Sequence, residues 1–227
     1  MAEPNLEELF NLGMLSYDKQ DFSKARKYFE KACNLNYGGG CGALGDLYDD
    51  GKGVEKDLTK AAQLYTKACE LKEGLGCKRL WSLYYYGQGV EKNLTKAAQY
   101  ASKACDLNNG SGCGVLGFLY GSGKGVEKNL IKAAYFYSKA CDLNNGGGCG
   151  NLGVLYQKGE GVEKNLTKAA YLYSKACELK ESFGCGALAV LYINGQGVEK
   201  DLTKADQYIS KACKLGDQEA CEALKEK

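Results

Sequence analysis

The chain has 227 residues, room for one or two compact domains or one elongated array. Thirty Lys and Arg against 28 Asp and Glu leave a net charge of +2, which argues against nucleic acid or an anionic membrane as the main partner. Twelve cysteines and no histidine exclude Ser–His and Cys–His nucleophilic pairs and histidine-containing zinc sites, and cysteine at this density points to an oxidising compartment.

The opening MAEPNLEELF lacks the apolar core of a signal peptide and reads as a mature or expressed chain, secreted or periplasmic. No apolar run reaches 18 residues, so no membrane insertion is expected. Residues 5–34 predict a helix pair joined by the short turn DKQDF, an N-terminal cap. From there the sequence repeats. Cysteines stand at 33, 41, 69, 77, 105, 113, 141, 149, 177, 185, 213 and 221, eight apart within each pair and 36 apart between pairs, without a slip. A constant period of this size marks a solenoid built from one supersecondary unit.

Within the unit, a short helix A starts at the second cysteine and carries Leu44, Leu47 and Tyr48 on one face. Its counterparts run through Leu80, Leu83, Tyr84 to Leu188, Leu191, Tyr192. Gly51, Gly87, Gly123, Gly159 and Gly195 follow as left-handed helix terminators. A longer helix B then starts behind an Asx N-cap at Asp57, Asn93, Asn129, Asn165 or Asp201. Its body is of the type LTKAAQLYTKAC, and its lysines (Lys60, Lys67, Lys96, Lys103, Lys132, Lys139) form a solvated face. The tail, residues 214–227, predicts a single charged capping helix. The expected fold is all-α: a right-handed α/α superhelical solenoid of 36-residue helix pairs, one domain, with a cap over 5–34 and five repeats over 38–213.

The pattern LGxLYxxGxGVxKNLxKAAxYYxKAC resembles the Sel-one-like branch of the tetratricopeptide superfamily over essentially the whole chain. With its paired cysteines it is similar to the Helicobacter cysteine-rich proteins, which are secreted solenoids. Two disulfide schemes suit the spacing. Bridging Cys41 to Cys69 and onward leaves Cys33 and Cys221 alone. Bridging neighbours eight apart uses all twelve, and the family resemblance implies the same connectivity: 33–41, 69–77, 105–113, 141–149, 177–185 and 213–221. In that scheme Gly38–Gly40 form the flexible arc of the first staple. The C-x7-C spacing is far from zinc spacing, so no metal or cofactor is expected.

Gly51-Lys52-Gly53 and GSGKGV look like truncated phosphate loops, but Lys124 is followed by Gly125 rather than Ser or Thr. A turn repeated in every unit is a connector. The family resemblance implies an enzymatic alternative, weak penicillin binding or hydrolysis. The single Ser-x-x-Lys match, Ser16 to Lys19, falls where the cap's turn is expected, with no SDN or KTG partner.

Function is sought where the repeats disagree. In the superfamily helix A lines a concave groove, which implies that a protein or extended peptide binds a monomer there. The candidate lining comprises Asp46, Asp50, Lys78, Arg79, Trp81, Ser82, Tyr85, Tyr86, Phe118, Asn151, Lys158 and Asn194. Trp81 occupies the slot of Gly45, Gly117, Gly153 and Ala189, so it is expected either to widen the helix spacing or to point into the groove as an anchor. GVEKNLTKAA recurs verbatim at 89–98 and 161–170, as in a recent duplication or a consensus-type engineered repeat protein without a native ligand.

Overall fold

The computed structural model describes residues 5–225, and these form thirteen helices with no strand among them. The first pair is α1 (Leu6–Asp18) and α2 (Phe22–Asn34). The repeats follow as α3 (Gly38–Asp50) with α4 (Leu58–Glu70), α5 (Gly74–Tyr86) with α6 (Leu94–Asp106), and α7 (Gly110–Ser122) with α8 (Leu130–Asp142). Then come α9 (Gly146–Lys158) with α10 (Leu166–Glu178), α11 (Ser182–Asn194) with α12 (Leu202–Lys214), and the closing α13 (Gln218–Lys225).

The chain divides into two compact units. One holds the residues up to Gly112 with Lys124–Val126, the other Cys113–Gly123 with Glu127 onward. In the first, α1 to α6 pack each on the next, and α3 also touches α5. In the second, α8 to α13 do the same, and α9 touches α11.

The predicted punctuation is present. Gly51, Gly87, Gly123, Gly159 and Gly195 all have φ between 66° and 74°, the left-handed geometry that ends a helix without a Cβ penalty. Asp57, Asn93, Asn129, Asn165 and Asp201 each accept the backbone N–H three residues on, at 2.8–2.9 Å. The backbone N–H of each capping residue also donates to the carbonyl of the preceding Tyr48, Tyr84, Tyr120, Tyr156 or Tyr192, which fixes the connector.

Helix A is not the shorter helix. Both helices of a full repeat have 13 residues, because A begins three residues before its cysteine. Gly38–Gly40 are therefore the first turn of α3 rather than a flexible arc. Close approach explains the glycines: a Cβ on Gly40 would lie 2.6 Å from that of Ala32, and Gly76, Gly112, Gly148 and Gly184 meet their own alanines at 2.5–2.6 Å. The chain reverses between B and the next A through a left-handed residue instead: Asn36, Lys72, Asn108, Asn144 or Lys180.

That approach brings each cysteine pair together. Cys33–Cys41, Cys69–Cys77, Cys141–Cys149, Cys177–Cys185 and Cys213–Cys221 are disulfides with Cα separations of 4.5–4.7 Å. Cys105 and Cys113 are disulfide-bonded too, so no cysteine is free to bind metal. Most of these cysteines are buried; Cys69 and Cys77 pack with Ala61, Leu80 and Leu83 in the first unit, and Cys141 and Cys149 with Ala133, Leu152 and Leu155 in the second.

The B-helix lysines do more than face solvent. The ammonium groups of Lys60, Lys96, Lys132, Lys168 and Lys204 stand 4.4–5.4 Å from the ring centres of Tyr48, Tyr84, Tyr120, Tyr156 and Tyr192. Each such contact contributes about 0.5–1 kcal/mol at an exposed site. Lys67 Nζ donates to the Cys33 carbonyl at 2.9 Å, satisfying a helix C-terminus.

Three buried tyrosines on the B helices tie stability to alkaline pH. Burial pushes the Tyr137 and Tyr173 phenols up to about 12. Burial, with the Asp46 carboxylate second, raises Tyr65 further. A phenol raised in the fold stabilises it fully below its unfolded value of about 10, and that contribution is lost as pH rises through the folded value. Absorbance at 295 nm read seconds after pH jumps should show these phenols ionising late, together with loss of helical circular dichroism. Joint titration of all 17 tyrosines near 10 with the helices intact would contradict this.

Candidate functional site

Every predicted lining residue lies on a helix A, those of α3 and α5 in the first unit and those of α7, α9 and α11 in the second. In the first unit, α3 and α5 bring a polar group together. Arg79 Nε lies 3.0 Å from Asp46 Oδ1, although its N–H is not aimed at that oxygen. The Tyr65 hydroxyl donates to Asp46 Oδ1 at 2.7 Å and to Asp49 Oδ2 at 3.2 Å. Burial pulls the Arg79 guanidinium down, but Asp46, Tyr65 and Asp49 outweigh it and the net shift is upward. Asp46 is thus engaged from two sides. Asp50 faces Lys52 at 2.9 Å, and Lys52 also donates to the Tyr17 hydroxyl, so this acid is spent on its own connector.

Beside this network stands an aromatic cluster. Tyr85 and Tyr86 pack edge to face at 4.9 Å, and Trp81 lies 5.5 Å from Tyr85 and 6.5 Å from Tyr86. Tyr86 is 60% exposed, whereas Trp81, Tyr85, Lys78 and Ser82 are half-buried. Lys124 donates to the Tyr85 hydroxyl at 2.8 Å and steadies that ring.

Trp81 stands at a register that small residues hold in the other repeats. Glycines at its register exist to receive a B-helix ring: a Cβ on Gly45, Gly117 or Gly153 would meet Tyr65, Tyr137 or Tyr173 at 2.6–2.7 Å. Those rings stand twenty positions on, and twenty on from Trp81 is Ala101, fully buried and without a ring. The large residue has changed sides of the A/B interface. Trp81 is half-buried and packs beside Tyr85 and Tyr86, and its Nε1 is buried without a hydrogen-bond partner. Ala189 with Ile209 is an intermediate form of the same exchange. The signal was in the sequence, but in the partner helix.

In the second unit the same face is apolar. Phe118, Val154 and Val190 recur at one register, with Phe118 and Val190 exposed. Asn151, Lys158 and Asn194 are exposed alongside. A cleft of about 440 Å³ opens at the last repeat, lined by Phe183, Val190, Ile193 and Ile209 on one side and Ala220 and Ala223 of α13 on the other. Phe183 and Ile193 were not singled out by sequence. Phe183 stands where three other repeats have Gly39, Ser111 or Gly147 and one has Leu75, so a large residue at this register is the mark that would have found it.

The Ser-x-x-Lys pair is not assembled for chemistry. Ser16 lies inside α1 rather than in the turn, is 7% exposed, and donates to the Leu12 carbonyl at 2.8 Å. Its hydroxyl serves its own helix, while Lys19 follows in the exposed turn.

The Sel1 repeat model matches five consecutive segments, residues 40–73, 74–109, 112–145, 148–181 and 182–217, and the tetratricopeptide repeat model matches residues 6–38. The chain belongs to the Sel1 repeat family. Among Sel1-type solved structures, it superimposes on c5321, a protective antigen of uropathogenic Escherichia coli, with a TM-score of 0.86 at 28% identity, covering 95% of this chain and 47% of that one. A Sel1 repeat protein from Oxalobacter formigenes gives 0.85 at 26% identity, covering 95% of this chain and 86% of that one. Among curated relatives, a protein named Beta-lactamase HcpA from Helicobacter pylori is 55% identical over 56 residues, 25% of this chain and 22% of the relative. One named Putative beta-lactamase HcpC is 57% identical over 56 residues, 25% of this chain and 19% of the relative. The matched segment thus spans less than a quarter of either relative. Twelve disulfide-bonded cysteines suit an oxidising, extracytoplasmic setting, and no described helix is long and apolar enough to cross a membrane.

Proposed function

We propose that this Sel1 repeat protein is a non-enzymatic scaffold, secreted or periplasmic, whose helix-A face receives an extended segment of another protein. The observation that carries the reading is the exposed aromatic cluster around Tyr86, set beside the Arg79–Asp46 pair on a rigid, disulfide-closed frame. Aromatic and Arg groups are the usual anchors of protein interfaces, and rigid tyrosines lose little entropy on binding. The contacts of α3 with α5 and of α9 with α11 support helix A as the inner side of each unit.

Selection from a displayed random-peptide library tests it, with Tyr86→Gln and Arg79→Ala as controls. Each is expected to weaken the selected peptides by roughly ten-fold. Binding indifferent to both would remove the site. Trp81 stays in place in this experiment, because part of its ring, including Nε1, is buried.

The names of the curated relatives keep a second reading in view, β-lactam hydrolysis. The buried Ser16 hydroxyl opposes it. A chromogenic β-lactam should be turned over no faster than in buffer, and Ser16→Ala should change nothing. Hydrolysis abolished by Ser16→Ala would reverse that judgement.

A further inference from the structure

The repeats agree closely along the outward side of helix B, and they break that agreement in one place. At the second helical position four repeats carry Thr59, Thr95, Thr167 and Thr203, and the fifth carries Ile131. Four residues later three repeats carry Gln63, Gln99 and Gln207, while two carry Tyr135 and Tyr171. Segment 125–134 differs from the verbatim GVEKNLTKAA at Ile131 alone.

None of the three departures serves the core. Ile131 is 71% exposed, Tyr135 63% and Tyr171 65%. They converge on one cleft of about 440 Å³ between α8 and α10 in the second unit. That size is within the usual range for pockets that take ligand groups. Single exposed apolar residues need no explanation, but three that replace polar residues around one cleft mark an interaction surface.

The cleft's charge indicates what it takes. Lys168 and Lys175 line it, against one acid, Asp142. The Lys168 ammonium stands 4.4 Å from the Tyr156 ring centre, a contact that holds the charge in place while a ring face satisfies no N–H fully. Tyrosine offers a broad face and a hydroxyl, suited to a partner with both apolar and polar groups.

We propose that the cleft between α8 and α10 is a second binding surface, on the opposite helix of the repeat from the proposed peptide site, for an acidic protein segment carrying an apolar or aromatic side chain. The side chain lies against Ile131, Tyr135 and Tyr171, and flanking carboxylates meet Lys168 and Lys175. This surface does not depend on the helix-A reading.

The test is differential selection of displayed random peptides on the intact chain and on the Ile131→Thr, Tyr135→Gln, Tyr171→Gln triple variant. Every substitution restores a residue other repeats already hold there, so the variant keeps its fold, as circular dichroism should verify. The intact chain should enrich peptides with Asp or Glu next to Phe, Leu or Trp. Synthetic copies should bind the triple variant roughly ten-fold more weakly, lose affinity in high salt, and bind Tyr86→Gln as well as the parent. Absence of enrichment over the variant, or enrichment of basic or uncharged peptides, would overturn the proposal. So would sedimentation showing that the parent self-associates and the triple variant does not, since the occupant would then be a second copy. Failure of the helix-A site would appear separately, as selected peptides that ignore Tyr86→Gln and Arg79→Ala.

Discussion

Reduction should lower the thermal midpoint of this protein by tens of degrees and loosen its helices well below the melting point of the oxidised form. Each bridge closes a nine-residue ring, worth about 2.6 kcal/mol through the entropy it removes from the unfolded chain. For a chain of this length one kcal/mol moves the midpoint by about 2–4 °C, so a single bridge carries roughly 5–10 °C. Six bridges, at about 16 kcal/mol together as an upper bound, match or exceed the whole stability of an ordinary domain, about 5–15 kcal/mol. The effect is local as well as total, since each bridge fastens a B helix to the next A helix and repeat arrays are stabilised by nearest-neighbour interfaces. Cys69→Ala with Cys77→Ala should therefore lower the midpoint by one bridge's share, while complete reduction lowers it steeply. Melts followed by circular dichroism, with and without a reductant and with thiols counted, check both. A chain with all 12 thiols free that melts where the oxidised chain melts would show the bridges to be ornament.

The exchange at Trp81 and Ala101 gives the second large effect. We expect Trp81 to take the space that a B-helix tyrosine takes in three other repeats, so Ala101→Tyr alone should crowd it. Overpacking of a buried site costs about 1–3 kcal/mol, and more where both helices are rigid. Trp81→Gly alone leaves a void where other repeats have a tyrosine, at a cost of about 2–4 kcal/mol, the low end reflecting the part of Trp81 that solvent already touches. Together they recreate the Gly45–Tyr65 arrangement, and the double variant should recover most of the loss. The coupling energy is expected at about 2–3 kcal/mol, the upper range for touching residues. Denaturant unfolding of the four chains in the cycle measures it. Additive losses would mean that the two positions do not share one space.

Much of this fold is written in a constant spacing. The period of 36, the terminating glycines and the Asx caps place every connector, because each is a local backbone requirement met by one residue type. The cysteine pairing was legible by counting. The start of helix A was not, because Gly38–Gly40 look like a loop until Ala32 and Cys33 are seen against Gly40. Glycine signals flexibility in a sequence, whereas here it answers a close approach that only the packed structure reveals. Trp81 poses a related difficulty: its counterpart in the repeat pattern lies twenty residues away, at Ala101.

The candidate sites divide along the same line. The candidate residues of helix A are accessible as variation between repeats, whereas their pairing is not. Nothing in the sequence tells that Asp46 is held by Arg79 and Tyr65 at once, or that Asp50 is spent on Lys52. The outward cleft was overlooked because helix B reads as a solvated face until Ile131, Tyr135 and Tyr171 are seen to line one hollow.

The central claim, a scaffold that binds through its helix-A face, is tested most directly by photo-crosslinking. A peptide selected on the intact chain, carrying a benzophenone side chain, would be irradiated in complex and its attachment sites mapped by mass spectrometry. Attachment within α5, at or beside Tyr85 and Tyr86, and its loss in the Tyr86→Gln chain, is the predicted result. Attachment confined to B helices, or spread without preference over the surface, would contradict it.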